Sequence, residues 1–133
     1  GYSVVPEAWG EAYARVNTPF AANELACRAA LAALDDEGHV EQSVESASWA
    51  REYIADELDA PTVDSAGNFV LAAVGDGERV AEAAQERGVI IRDCTSFGLP
   101  EHVRVSTGTR EETREAVALL NETLADLGLG VRA

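Results

Sequence analysis

The spacing of apolar and polar positions changes period at Pro61, dividing the 133-residue chain into a helical first part and a mixed second part. Gly1 to Val5 is a short apolar, strand-like piece with no structure before it. Pro6 suits a first helical position, Glu7 and Glu11 suit the positive end of a helix dipole, and Ala8, Trp9, Ala12, Tyr13 and Val16 supply an apolar face. Asn17, Thr18 and Pro19 break that helix. A second helix is predicted from Ala22 to Leu34, with Leu25, Ala29 and Ala32 beside Cys27, Leu31 and Leu34 as two adjacent apolar stripes. A third runs from His39 to Leu58, because Val40, Val44, Ala47, Ile54 and Leu58 recur at spacings of three, four and seven. Trp49 and Tyr53 lie four apart beside this stripe and read as packing rather than a ligand cage.

After Pro61, Thr62 to Asp64 reads as an edge strand, Ser65 to Asn68 as a turn, and Asn68 to Val74 as a continuous apolar, central strand. Asp76 to Gln85 is a helix ended by Gly88. Two further strands follow, Val89 to Asp93 and His102 to Ser106, joined by a turn bearing Gly98 and Pro100. Val89, Ile90 and Ile91 are apolar in succession, as expected of a strand covered on both faces. Thr109 and Glu112 form a capping box, and Thr113, Val117, Leu120, Leu124 and Leu127 stripe the last helix, which Gly128 and Gly130 stop. The order from Thr62 is strand, strand, helix, strand, strand, helix. It predicts an α/β chain of the α+β kind: a small, mostly antiparallel sheet of three or four strands, helices on one face, and N-terminal helices besides.

Each of the last two strands carries one arginine. Val103 and Val105 alternate with His102, Arg104 and Ser106, so Arg104 points away from the apolar side, while Arg92 stands near the end of the neighbouring strand. Two guanidiniums held close together call for an anion between them, and arginine suits carboxylate or phosphate through paired hydrogen bonds. The competing reading pairs each arginine with one of the 24 acidic side chains.

Composition narrows the function. A net charge of −14 excludes a nucleic-acid or anionic-membrane surface, which needs clustered basic residues. All ten basic residues are arginine. Such a lysine-free, acidic chain fits a high-salt cytoplasm, or compositional drift in a GC-rich genome. Cys27 and Cys94 form no metal-ligand spacing and read as small buried side chains. His39 and His102 lack second ligands, so no metal is expected. No run reaches membrane-spanning length and GYSVVPEAW is no signal peptide, making the cytoplasm the expected location.

Three segments, VNTPFAANELACRAALAAL, SAGNFVLAAV and RGVIIRDCTSFGLPEHVRVSTGTREETREAVALLNE, together resemble the C-terminal part of the histidinol-phosphate aminotransferases, in a haloarchaeal form. The likeness runs from Gly1 to about Leu124 and is most specific in the last segment. It implies a dimeric fold of the aspartate-aminotransferase type. Residues 1–21 would be the end of a large cofactor domain and its connecting segment, and residues 22–133 a small domain closing over the substrate. It implies that Arg104 binds the carboxylate of glutamate or 2-oxoglutarate and Arg92 the phosphate of histidinol phosphate. Asn17 and Asn23 flank a PF segment like a family loop beside the site and are taken as structural or peripheral. Threonine-phosphate decarboxylases share the layout and are an alternative.

In the family, pyridoxal phosphate is held as a Schiff base by a lysine, and this chain has none. That lysine and a phosphate-binding arginine lie before the strand that Gly1 would begin. The chain therefore reads as a fragment or a naturally truncated reading frame. It has no catalytic residue of its own and is not expected to bind the cofactor or to transaminate alone. A non-catalytic anion-binding module is the remaining reading.

Overall fold

The computed structural model describes residues 4–17 and 22–129. The chain divides into two compact units, Gly1–Glu37 and Gly38–Ala133. In the first, a 3-10 turn Glu7–Trp9 leads into helix α1, Gly10–Val16, and helix α2 follows as Glu24–Leu34. Asn17 closes α1 by donating its backbone N–H to Tyr13 O. Asn23 opens α2, its side-chain oxygen accepting from the Ala26 N–H at 2.8 Å, as an N-cap residue does. The apolar stripes expected of α2 are present but exposed, Leu25, Leu31 and Leu34 among them. Cys27 is exposed as well, along with the apolar stripe of α2, which corrects the expectation of a buried thiol. Val4 and Val5 form no strand, and the rest of the expected Gly1 to Val5 piece lies outside the described residues.

The second unit is the folded layer. Helix α3 spans Glu37–Glu57, then β1 Thr62–Val63, β2 Phe69–Ala73, α4 Gly77–Glu86, β3 Arg92–Asp93, β4 His102–Ser106 and α5 Arg110–Leu127. The four strands form one antiparallel sheet in the order β1-β2-β4-β3, so β2 and β4 are interior. Alternation puts Val70, Ala72, Val103 and Val105 on one face, where they pack with Ile54 and Leu58 of α3, Val80 and Ala84 of α4, and Val117, Leu120 and Leu124 of α5. Burying each such valine, leucine or isoleucine contributes roughly 1.5–3 kcal/mol, and this one-sided core holds the layer together.

β2 takes the interior place expected of the run Asn68 to Val74, with Val70 and Ala72 buried, Phe69 exposed and Leu71 and Ala73 half-buried. The other apolar run differs from the sequence reading. Val89, Ile90 and Ile91 do not join the ladder, since β3 pairs only at Arg92 and Asp93. The Val89 N–H is instead taken by Ala84 O, at the end of α4. Val89 and Ile91 lean on the core, whereas Ile90 is 84% exposed. The apolar run reflects one-sided packing of an edge.

The first half of the α3 stripe is also open. Val40 and Val44 are exposed, and the stripe becomes core only from Ala50 and Ile54 onward. Asn121 of α5 secures the end of α3, donating to Glu57 O and accepting from the Asp59 N–H, both at 2.8 Å.

Candidate functional site

The sheet face opposite the core carries the candidate site. Register decides it: Arg92 of β3 pairs directly with Arg104 of β4, and Arg104 pairs with Leu71 of β2. Directly opposed residues share a face, so both guanidiniums rise from the uncovered side of the sheet beside Leu71 and His102. Like charges in such a pair cost roughly 0.2–1 kcal/mol when nothing lies between them.

Among the described residues neither arginine is neutralised by an acid. The ion pairs among the described residues are Arg15 with Glu11, Arg28 with Glu24 and Arg87 with Asp126, none of them on this face. Aromatic rings hold the two arginines instead. The Arg104 guanidinium lies 5.2 Å from the Phe69 ring centroid, and that of Arg92 lies 5.6 Å from the Phe97 ring. Arg92 also donates at 3.5 Å to the Ser96 hydroxyl, a long and weak bond. Two buried nitrogens on this face, Nε of Arg104 and Nδ1 of His102, have no hydrogen-bond partner. Leaving a buried polar group unpaired costs about 1–3 kcal/mol.

The loop after β3 fixes the geometry around Arg92. Asp93 Oδ1 accepts from the Thr95 N–H at 3.1 Å and the Thr95 hydroxyl at 2.8 Å. This holds the 3-10 turn Thr95–Phe97, and Gly98, at φ +79°, ends it in the left-handed region where a Cβ would be strained. Gly77 of α4 donates its N–H to Pro100 O at 2.8 Å and so anchors the other end of the connection. Grooves of 250 to 600 Å³ run along α3 and along the 88–90 and 106–108 segments, but Arg92 and Arg104 line none of these four. The arginines stand on an open face.

Arg92 and Arg104 were both legible in the sequence, as was the polar face that Arg104 shares with His102; that Arg92 rises from the same face comes from the register of β3 against β4. Phe69 and Phe97 were missed. Phe69 was submerged in an apolar run, and its placement beside Arg104 depends on the pairing of two strands far apart along the chain. Trp49 and Tyr53 stack as expected of packing residues, centroids 5.1 Å apart. They also carry Arg110 and Arg114 at 4.8 and 5.2 Å from the Trp49 ring, which periodicity on α3 did not reveal. No group of three or more metal-ligating side chains occurs among the described residues. No helix among them is long and apolar enough to cross a membrane.

An antiparallel sheet with helices on one face and two unneutralised arginines on the other agrees with the match of residues 1–120 to the family described as aminotransferase class I and II. The chain belongs to that family. It is 90% identical over 133 residues to the histidinol-phosphate aminotransferase of Halorubrum lacusprofundi, covering 100% of this chain and 36% of the relative. It is 68% identical over 127 residues to the protein of the same name from Haloarcula marismortui, covering 96% of this chain and 35% of the relative. Among solved structures, a Burkholderia pseudomallei protein provisionally assigned as an aminotransferase superposes with a TM-score of 0.78 at 30% identity, covering 90% of this chain and 38% of that one. The chain thus spans about a third of the length of the curated relatives it matches.

Proposed function

We propose that this chain supplies the substrate-closing portion of an aminotransferase that moves an amino group between histidinol phosphate and 2-oxoglutarate. Arg92 receives the phosphate and Arg104 the carboxylate. The observation that carries this reading is the opposed pair Arg92 and Arg104, held on aromatic rings with no acid between them. The haloarchaeal relatives named for histidinol phosphate support the substrate. A cytoplasmic, homodimeric parent belongs to the same reading. Residues 1–21 are read as the end of the cofactor domain and 22–133 as the small domain.

Pyridoxal phosphate is the cofactor assigned to the parent. This chain does not fit covalent attachment of that group, because its ten basic residues are all arginine and no side-chain amine is present to form the imine. The role left to these residues is to bind and orient a doubly anionic substrate.

The test is a chimera in which this chain replaces the corresponding third of the Halorubrum lacusprofundi enzyme. Transamination of histidinol phosphate should be retained, and Arg92→Ala or Arg104→Ala should each lower kcat/KM by about ten- to a hundredfold, the loss expected for a hydrogen bond to a charged group. Arginine variants that leave kcat/KM unchanged overturn the site assignment. A chimera that decarboxylates threonine phosphate instead favours the alternative enzyme class.

A further inference from the structure

We propose that Phe69 and Phe97 are positioning residues for the anion receptor, holding Arg104 and Arg92 by their ring faces so that neither guanidinium is taken up by a carboxylate. This rests on the reading of Arg92 and Arg104 as substrate-binding groups. An arginine presents its five N–H donors in the plane of the guanidinium. A carboxylate partner would take two of those donors and cancel the charge. An aromatic ring takes the face and leaves the donor edges free. The two arginines here have the second kind of partner, at 5.2 and 5.6 Å, in a chain with 24 acidic residues available for the first.

Both rings are held in place by features that serve no core. Phe69 lies on the open face of β2, 38% exposed, and its Cε1 sits 3.3 Å from where a Cβ on Gly67 would be. Gly67 O in turn accepts from Arg51 at 2.8 Å, which fixes the turn beneath the ring. Phe97 is 62% exposed at the end of the turn that Asp93, Thr95 and Gly98 shape. Each of these partly open rings meets one of the two receptor arginines.

The experiment is calorimetric titration of the chain with inorganic phosphate and with glutamate, comparing Phe69→Leu and Phe97→Leu with Phe69→Tyr and Phe97→Tyr. Leucine keeps most of the bulk and removes the ring, whereas tyrosine keeps the ring. Each leucine variant should weaken anion binding by about two- to fivefold, the value of one exposed cation–π contact, and each tyrosine variant should bind like the unaltered chain. The Nε proton of the corresponding arginine should lose its ring-current shift only in the leucine variants, a signature that a merely structural role would not produce. Melting curves and circular dichroism establish that each variant folds, and Phe97→Leu carries the test if Phe69→Leu does not. Leucine variants that bind as tightly as the unaltered chain, or tyrosine variants as weak as leucine, overturn the positioning role. If Arg92→Ala and Arg104→Ala abolish binding while the leucine variants retain it, the receptor stands and the rings fall. If the unaltered chain binds neither anion, or binding survives loss of both arginines, the receptor reading fails and this inference with it.

Discussion

Gly77 shows how closely one residue ties the open face to the layer behind it. A Cβ there would lie 2.5 Å from His102 O and 3.0 Å from both Pro100 O and Asp93 Oδ1. Two of these are backbone atoms that cannot swing away, and they belong to the connection carrying Phe97 and to the strand carrying Arg104. Helix propensity alone would favour alanine over glycine by up to about 1 kcal/mol. The overlap outweighs it: Gly77→Ala is expected to destabilise the chain by about 1–3 kcal/mol, as overpacking does, with a loss read directly from a urea titration. An unchanged or raised midpoint would mean that the connection yields freely and does not hold the arginines in place. At the same scale, Arg92 and Arg104 share a chemistry that single residues specify, but their opposition is a property of the pair.

Elements are where local chemistry was most readable. The capping box of α5 is present as the spacing of Thr109 and Glu112 predicts: the Glu112 carboxylate accepts from the Thr109 N–H at 2.9 Å and its hydroxyl at 2.8 Å, while Thr109 Oγ1 accepts from the Glu112 N–H. The bond from the Thr109 backbone, and then that from its hydroxyl, hold the Glu112 carboxyl below its usual value of 4.5. A carboxyl lowered in the folded state adds stability that is fully present above its unfolded value and is lost as pH falls through the folded one. The melting-temperature advantage over Glu112→Gln should therefore be largest above pH 4.5 and shrink steadily below it. A pH-independent difference from neutrality to pH 3 would contradict this. At the far end of α5, Gly128 takes φ +67° and its N–H reaches Ala125 O and Leu124 O, the left-handed stop expected of it. The strands were harder to read. An apolar run is the same whether both faces are covered or one, and Val89 to Ile91 looked like a buried strand while acting as an unpaired margin.

Across the whole molecule, charge governs the response to salt. With a net charge of −14 and exposed i,i+4 pairs making up two of the three described ion pairs, internal compensation is slight. Repulsion among carboxylates is screened over about 3 Å at molar salt against about 30 Å at 10 mM. The melting temperature should rise between dilute buffer and molar sodium chloride, and one that does not move would refute the self-repulsion account. The cation–aromatic contacts of Arg110 and Arg114 with Trp49 and Tyr53 join α3 to α5 without needing a carboxylate.

The chain by itself determined the caps, the helix stripes of the second unit, the alternation of β4 and the presence of one arginine on each of two strands. All of these depend on neighbours within a few residues. Only the tertiary structure decided that Arg92 stands opposite Arg104 and that Phe69 and Phe97 lie against them. Those facts depend on pairing register across long intervals of chain, where a slip of one residue would send each arginine to the other side of the sheet.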